Sequence, residues 1–207
     1  GLLLVTYITW SLAHLAGQWP VLGFSFATVS AAWIALLLLS LLTIVRRITE
    51  IWSFIRRRWR YMLCLEVVML AGLLLMTALR AQVPHISYHV AVPMPDSVID
   101  HAAEKFMDFA ILNGLLTSSA FPPHDVWVGG QSLNYYYFGH MLWAVLVKFS
   151  SIRPEIGYNL ALGAVCALIC ALSFGLGYNL TGRKRWGFMT LFLIVISSNL
   201  DGFWQFV

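Results

Sequence analysis

The sequence is short of charge and cysteine, and it lacks any alternating apolar pattern. Only 11% of its 207 residues are charged, against 60% hydrophobic, which excludes an ordinary soluble domain and gives nucleic acid no binding surface. The net charge of +4 reflects unevenly placed arginines. The three cysteines, Cys64, Cys166 and Cys170, all sit in apolar runs, so there is neither a disulfide framework nor a zinc-type spacing. Cys166 and Cys170 are four apart and share a helix face, as packing residues do. Alternating segments of about ten residues, the mark of a membrane barrel, are missing. The apolar runs are instead roughly 15 to 25 residues long, close to the ~20 that a helix needs to cross a ~30 Å hydrocarbon core. What remains is an all-α, polytopic transmembrane protein. Its first segment has no charged leader region and no small-residue cleavage site, unlike a signal peptide. The start at Gly1 without methionine and the stop inside the apolar run Phe203–Val207 read as a fragment of a longer chain.

About six spans are expected: Gly1–Ala16, Val21–Val45, Tyr61–Leu79, Asn134–Phe149, Gly157–Leu180 and Trp186–Asn199. They divide the chain into N-terminal spans over 1–79, a polar loop over 80–133, and further spans over 134–207. The stretch 46–60 carries six arginines, and its Ile48, Ile51, Trp52 and Ile55 fall at helical spacing. It is expected to lie along the interface as a cytoplasmic loop by the positive-inside rule. Loop 80–133 is then extracytoplasmic. This count leaves Arg183-Lys184-Arg185 outside as well, against the charge trend, and is accepted because the first strong bias tends to dominate topology. A re-entrant Tyr135 segment is the alternative. Glu66 is the one acid well inside a span, with Arg60 as its cheapest partner.

Loop 80–133 concentrates the polar chemistry, holding five of the nine acids and four of the six histidines. Five of the seven prolines punctuate it. Between them, 97–116 is expected to form a short amphipathic helix on the outer membrane face. Asp96 or Ser97 would cap it, and Ile99, Phe106, Phe109, Ala110 and Leu116 would form its apolar stripe. Glu104 and Asp108 are four apart and share a face of that helix, where paired carboxylates can hold a proton for general-base work. Solvation of a surface helix explains the same spacing. His85, His89, His101 and His124 follow no metal motif; no cofactor is called for, and a divalent metal is left open. Asn134, Tyr135, Tyr136 and Tyr137 open the next span at the water boundary, with His140 two turns in. Tyrosines suit that boundary in any case, but three in a row face different ways, so at least one points into the protein. Such a group suits a sugar or phosphate headgroup.

The runs Glu104–Asn113 and Phe121–Trp127, then Gly129-Gly130 and Asn134-Tyr135-Tyr136-Tyr137-Phe138-Gly139-His140, with Tyr158–Ala161 and Asn199–Gly202 beyond, resemble the YYY-motif family of large hydrophobic membrane proteins. That family has no settled activity. More distantly, the chain is similar to the GT-C superfamily of polyprenyl-phosphate-sugar glycosyltransferases, such as protein O-mannosyltransferases and the lipid A aminoarabinose transferase. In that likeness Glu104 and Asp108 match the acidic motif region, Tyr135–Tyr137 the span start, and Arg183-Lys184-Arg185 a basic turn. The superfamily's adjacent acid pair is not reproduced, which leaves the acidic register open. The resemblance implies inverting transfer of a sugar from a polyprenyl-phosphate-linked donor in the membrane lipid to an acceptor hydroxyl. Glu104 or Asp108 would take the proton. Lys105, Arg183 or Arg185 would steady the phosphate, and Asp125, Asn134, Tyr135, Tyr136, Tyr137 and His140 would line the substrate cavity. A transporter or lipid-handling protein, with Glu66 as coupling site and the loop as lid, and a noncatalytic scaffold are the competing readings.

Overall fold

A computed structural model describes residues 1–82, 84, 89–91, 98–100 and 103–197, with the backbone alone for 89–91, 98–100, 103 and 104. The helices are α1 (Leu2–Leu15), α2 (Phe26–Arg46), α3 (Ile48–Gln82), α4 (Ala103–Thr117), α5 (Phe138–Ser150), α6 (Pro154–Thr181) and α7 (Lys184–Leu191), which runs on into a π-helical turn, Phe192–Ile196. Strands β1 (His89–Ala91) and β2 (Val98–Asp100) pair antiparallel. The helical membrane architecture is as expected. Among the described residues three helices, α2, α3 and α6, are long and apolar enough to span a bilayer. Helices α1 and α5 have 14 and 13 residues, or roughly 20 Å each, short of the ~30 Å core.

The chain forms two compact units, each assembled from separated segments: Gly1–Arg46 with Pro84–Tyr158, and Arg47–Val83 with Asn159–Val207.

In the first unit α1 and α2 form an antiparallel hairpin through the 3₁₀ turn Pro20–Leu22. A reciprocal cap starts α2: Ser25 Oγ accepts from the Thr28 amide and Thr28 Oγ1 from the Ser25 amide, each at 3.2 Å. This satisfies backbone donors that a helix N-terminus leaves open. Helix α5 packs against α1, α2 and α4, and the core lies among Val5, Val29, Leu115, Met141, Ala144 and Val145, all fully enclosed. The helix expected over 97–116 begins only at Ala103, because Val98 and Ile99, β-branched and suited to a strand, pair with β1. Its buried stripe is Ile111, Leu112 and Leu115, whereas Phe106 is half exposed. The face that sequence spacing assigned to a membrane surface is displaced by the face that α5 covers. The expected caps Asp96 and Ser97, together with His85, His101, Asn199 and Asp201, lie outside the described residues.

In the second unit α3 and α6 run antiparallel. Arg80 Nε donates to Asn159 Oδ1 at 2.8 Å at one end, and Arg58 Nη1 donates to the Tyr178 hydroxyl at 3.3 Å at the other. Small residues let the backbones approach, as between membrane helices generally. A Cβ on Gly72 would sit 3.0 Å from Cys170 Sγ, and one on Gly163 would meet Thr77 Oγ1 at 2.6 Å. Cys170 is buried with Val68 and Phe174, the packing role expected of it. The 46–60 stretch is not a loop along the interface. Apart from Arg47 at a turn it is helical, and Ile48–Arg60 is continuous with the span in one 35-residue α3, about 52 Å long. The turn Arg183-Lys184-Arg185 meets that same basic end, with Lys184 Nζ donating to the Arg60 carbonyl at 3.1 Å. The sequence count placed these two segments on opposite faces; here they are in contact. Glu66 is exposed on α3 and joins no ion pair among the described residues, so the expected Arg60 pairing is not formed.

Replacing Gly163 with leucine overpacks the α3–α6 contact and should cost about 1–3 kcal/mol, seen as a lower thermal midpoint in detergent. Gly129→Leu, which meets open space, should leave the midpoint unchanged.

Candidate active site

Helices α4 and α5 run in the same direction. Asp108 pairs with His140, and eight residues further along each helix Lys148 Nζ donates to the Leu116 carbonyl at 2.6 Å. The second contact satisfies a carbonyl in the last turn of α4, which no intrahelical amide can reach. The Lys148 ammonium also sits 4.9 Å from the Phe24 ring centroid. These two contacts fix the register that brings Asp108 to the head of α5.

The Asp108 Oδ1 to His140 Nε2 distance is 3.2 Å, with 38% and 23% of the two side chains exposed. A carboxylate only accepts, so Nε2 carries the shared proton, and in the neutral ring Nδ1 is the acceptor. Nδ1 is buried with no hydrogen-bond partner among the described residues. The accessible half of the pair is therefore the carboxylate, held in place by a ring whose other nitrogen faces inward. The sequence named Asp108 and His140 separately, 32 residues apart; the structure brings them together.

Other expected site residues take different positions. Glu104 lies one turn before Asp108 on α4, and its side chain is outside the described residues, so the expected carboxylate pairing has no described counterpart. Lys105 is half-buried, three residues before Asp108 on the same helix. Asp125 Oδ1 accepts from the amides of Trp127 at 2.8 Å and Val128 at 3.0 Å, folding its own loop as an Asx turn. Helix α5 begins at Phe138, so the tyrosines precede the helix and do not start it. Tyr137 is the one that points inward: its hydroxyl accepts from Trp10 Nε1 at 3.2 Å and its ring meets the Phe121 edge at 6.1 Å. Tyr136 is 87% exposed and Tyr135 about half, their rings edge to face at 5.3 Å. Asn134 is exposed. Arg183 and Arg185 belong to the second unit, beside the N-terminus of α7. Among the described residues no group of three or more His, Cys, Asp or Glu gathers as metal ligands would.

The family of uncharacterised membrane proteins designated DUF2298 matches residues 4–207. The chain belongs to that family. No curated protein and no solved structure matches it. The family's description names a membrane protein and no activity, so the chemistry of this DUF2298 chain is argued from its own residues.

Sequence reasoning passed over a second polar feature of the DUF2298 fold. An open cleft of about 440 Å³ is lined by Thr117, Ser118, Ser119, His124, Gln131 and Ser132, among others. Ser118 resembles a nucleophile beside a base, with its Oγ 2.7 Å from His124 Nδ1. The hydroxyl is already committed, however. It donates to the Gly114 carbonyl at 2.8 Å and accepts from the His124 amide at 3.1 Å, so Nδ1 must be the donor to it. The group closes the turn after α4. Ser118→Ala leaves two donors of His124 unmet and should cost about 1–3 kcal/mol in thermal unfolding. Thr117→Ala, at an exposed hydroxyl, should shift stability by less than about 0.5 kcal/mol.

Proposed function

We propose that this chain is part of a GT-C-type membrane glycosyltransferase, moving a sugar from a polyprenyl-phosphate donor to an acceptor hydroxyl, with Asp108 as the base. The observation that carries this reading is the half-exposed Asp108 carboxylate, oriented by His140, in a protein with little other polar chemistry. In the reaction Asp108 removes the acceptor hydroxyl's proton as that oxygen attacks the anomeric carbon from the face opposite the phosphate. The bond to the phosphate oxygen breaks, its electron pair leaves on the lipid phosphate, and configuration inverts. A positioned base of this kind is worth about 10²–10⁴ in rate.

His140 acts as a positioning residue, since its proton holds Asp108 Oδ1 and leaves the second carboxylate oxygen for the substrate. Lys105 is the cation nearest in sequence for the developing phosphate charge. Tyr135 and Tyr136 offer exposed ring faces for the sugar, while Tyr137 is tied to Trp10 and supports them. Glu104 stays the alternative base. Arg183 and Arg185 belong to the second unit, beside the N-terminus of α7, and are given no step in this reading. The excursion between α3 and α6, which carries Asp108, is placed on the extracytoplasmic side, and the arginine-rich end of α3 in the cytoplasm.

The test follows polyprenyl phosphate release from a panel of lipid-linked sugars by the full-length protein in lipid. Asp108→Asn should cut turnover at least about 100-fold with unchanged folding. His140→Gln, which keeps a donor, should lose less than His140→Phe. Release that is absent with every donor, or equal in wild type and Asp108→Asn, would overturn the transferase reading in favour of transport or scaffolding.

A further inference from the structure

The basic end of the α3–α6 pair combines two features that the transferase reading leaves unused. The first is charge. Arg58 reaches the end of α6 at the Tyr178 hydroxyl, and Lys184, flanked in sequence by Arg183 and Arg185, reaches back to the Arg60 backbone carbonyl; Arg56, Arg57 and Arg60 lie on the same stretch of α3. The stretches Ile51–Leu65 and Ile156–Leu200 contain no acid, and the nearest carboxylate before them, Glu50, is engaged with Arg47 at 4.0 Å. Trp59 and Trp186 stand at this level, with the Arg60 and Arg185 guanidinium carbons 5.4 and 5.5 Å from their respective rings, as interfacial tryptophans do.

The second feature is a groove of about 490 Å³ between α3 and α6, lined by Tyr61, Leu65, Ala171, Leu172, Gly175, Leu176 and Asn179. Its polar residues, Tyr61 and Asn179, are at the arginine end, and its apolar walls continue down both helices toward the membrane interior. Tyr61 is fixed there by stacking on Tyr178 at 4.2 Å. A polar mouth under a cluster of cations, opening into an apolar channel at acyl-chain depth, has the shape and charge order of a phospholipid.

We propose that this end of the protein binds an anionic phospholipid, with the phosphate near Arg58 and Lys184 and one acyl chain along the groove. A zwitterionic headgroup carries the same phosphate but adds a choline cation that the cluster repels, so discrimination rests on net charge. This proposal is independent of Asp108 and of any donor lipid.

The experiment titrates the full-length protein in detergent with phosphatidylglycerol or phosphatidylcholine of matched chains, counting bound lipid by native mass spectrometry. Phosphatidylglycerol should bind about tenfold more tightly or better, given several cations near one phosphate. Arg58→Gln/Lys184→Gln should bring the two lipids level. Gly175→Leu, whose side chain enters the groove beside the Tyr61 hydroxyl, should weaken both lipids with helix content unchanged. Glycerol phosphate at millimolar concentration should not displace the lipid. Equal affinity of wild type for the two lipids would overturn the proposal without reference to any variant. So would displacement by glycerol phosphate, which would mark a free-phosphate site, or by heparin, which would mark a soluble polyanion site.

Discussion

The candidate site depends on α4 and α5 lying parallel in one register. Two helices packed by Leu112, Leu115, Met141 and Ala144 alone could slide by a turn at modest cost, since apolar side chains re-pack. The polar contacts at either end resist the slide: a one-turn shift would strip Leu116's carbonyl of the Lys148 ammonium and separate Asp108 from His140. Leaving a buried polar group unpaired costs about 1–3 kcal/mol, more than the packing difference between neighbouring registers. Lys148 thus governs the geometry of a carboxylate two turns away without touching it.

Helical membrane character was legible from composition, and so was the small-residue face that carries Cys170. Of the three tyrosines, one does point inward, as their differing directions required. The Asp108–His140 pairing was not legible, because no spacing rule links residues on two helices whose relative register is set by Lys148 and the loop between them. Nor was the start of α4. Val98 and Ile99 fit either the apolar face of a helix or a strand, and only pairing with His89–Ala91 decides between them.

The meeting of the two basic segments was not legible for a different reason. Hydropathy sees that Phe138–Ser150 is apolar, but it cannot see that the helix ends at Ser151, which adopts φ 54° and turns the chain after 13 residues. The structure brings the basic turn before α7 against the arginine-rich end of α3, with Lys184 on the Arg60 carbonyl, where the sequence count had put the two apart.

Because the first unit joins Gly1–Arg46 to Pro84–Tyr158, its hairpin is synthesised long before its partners. Domains tend to form as the chain emerges, N-terminus first, yet the face of α1 around Val5, Thr9 and Ala13 waits for α5, more than a hundred residues later. Lipid is a tolerable holding environment for that face. Val5 and Ala13 are apolar, and the Thr9 hydroxyl donates to the Val5 carbonyl of its own helix at 2.7 Å, so it needs no partner from elsewhere. Thr6, enclosed on the same helix with no partner for its hydroxyl among the described residues, is the one buried side chain of α1 that lacks this self-sufficiency.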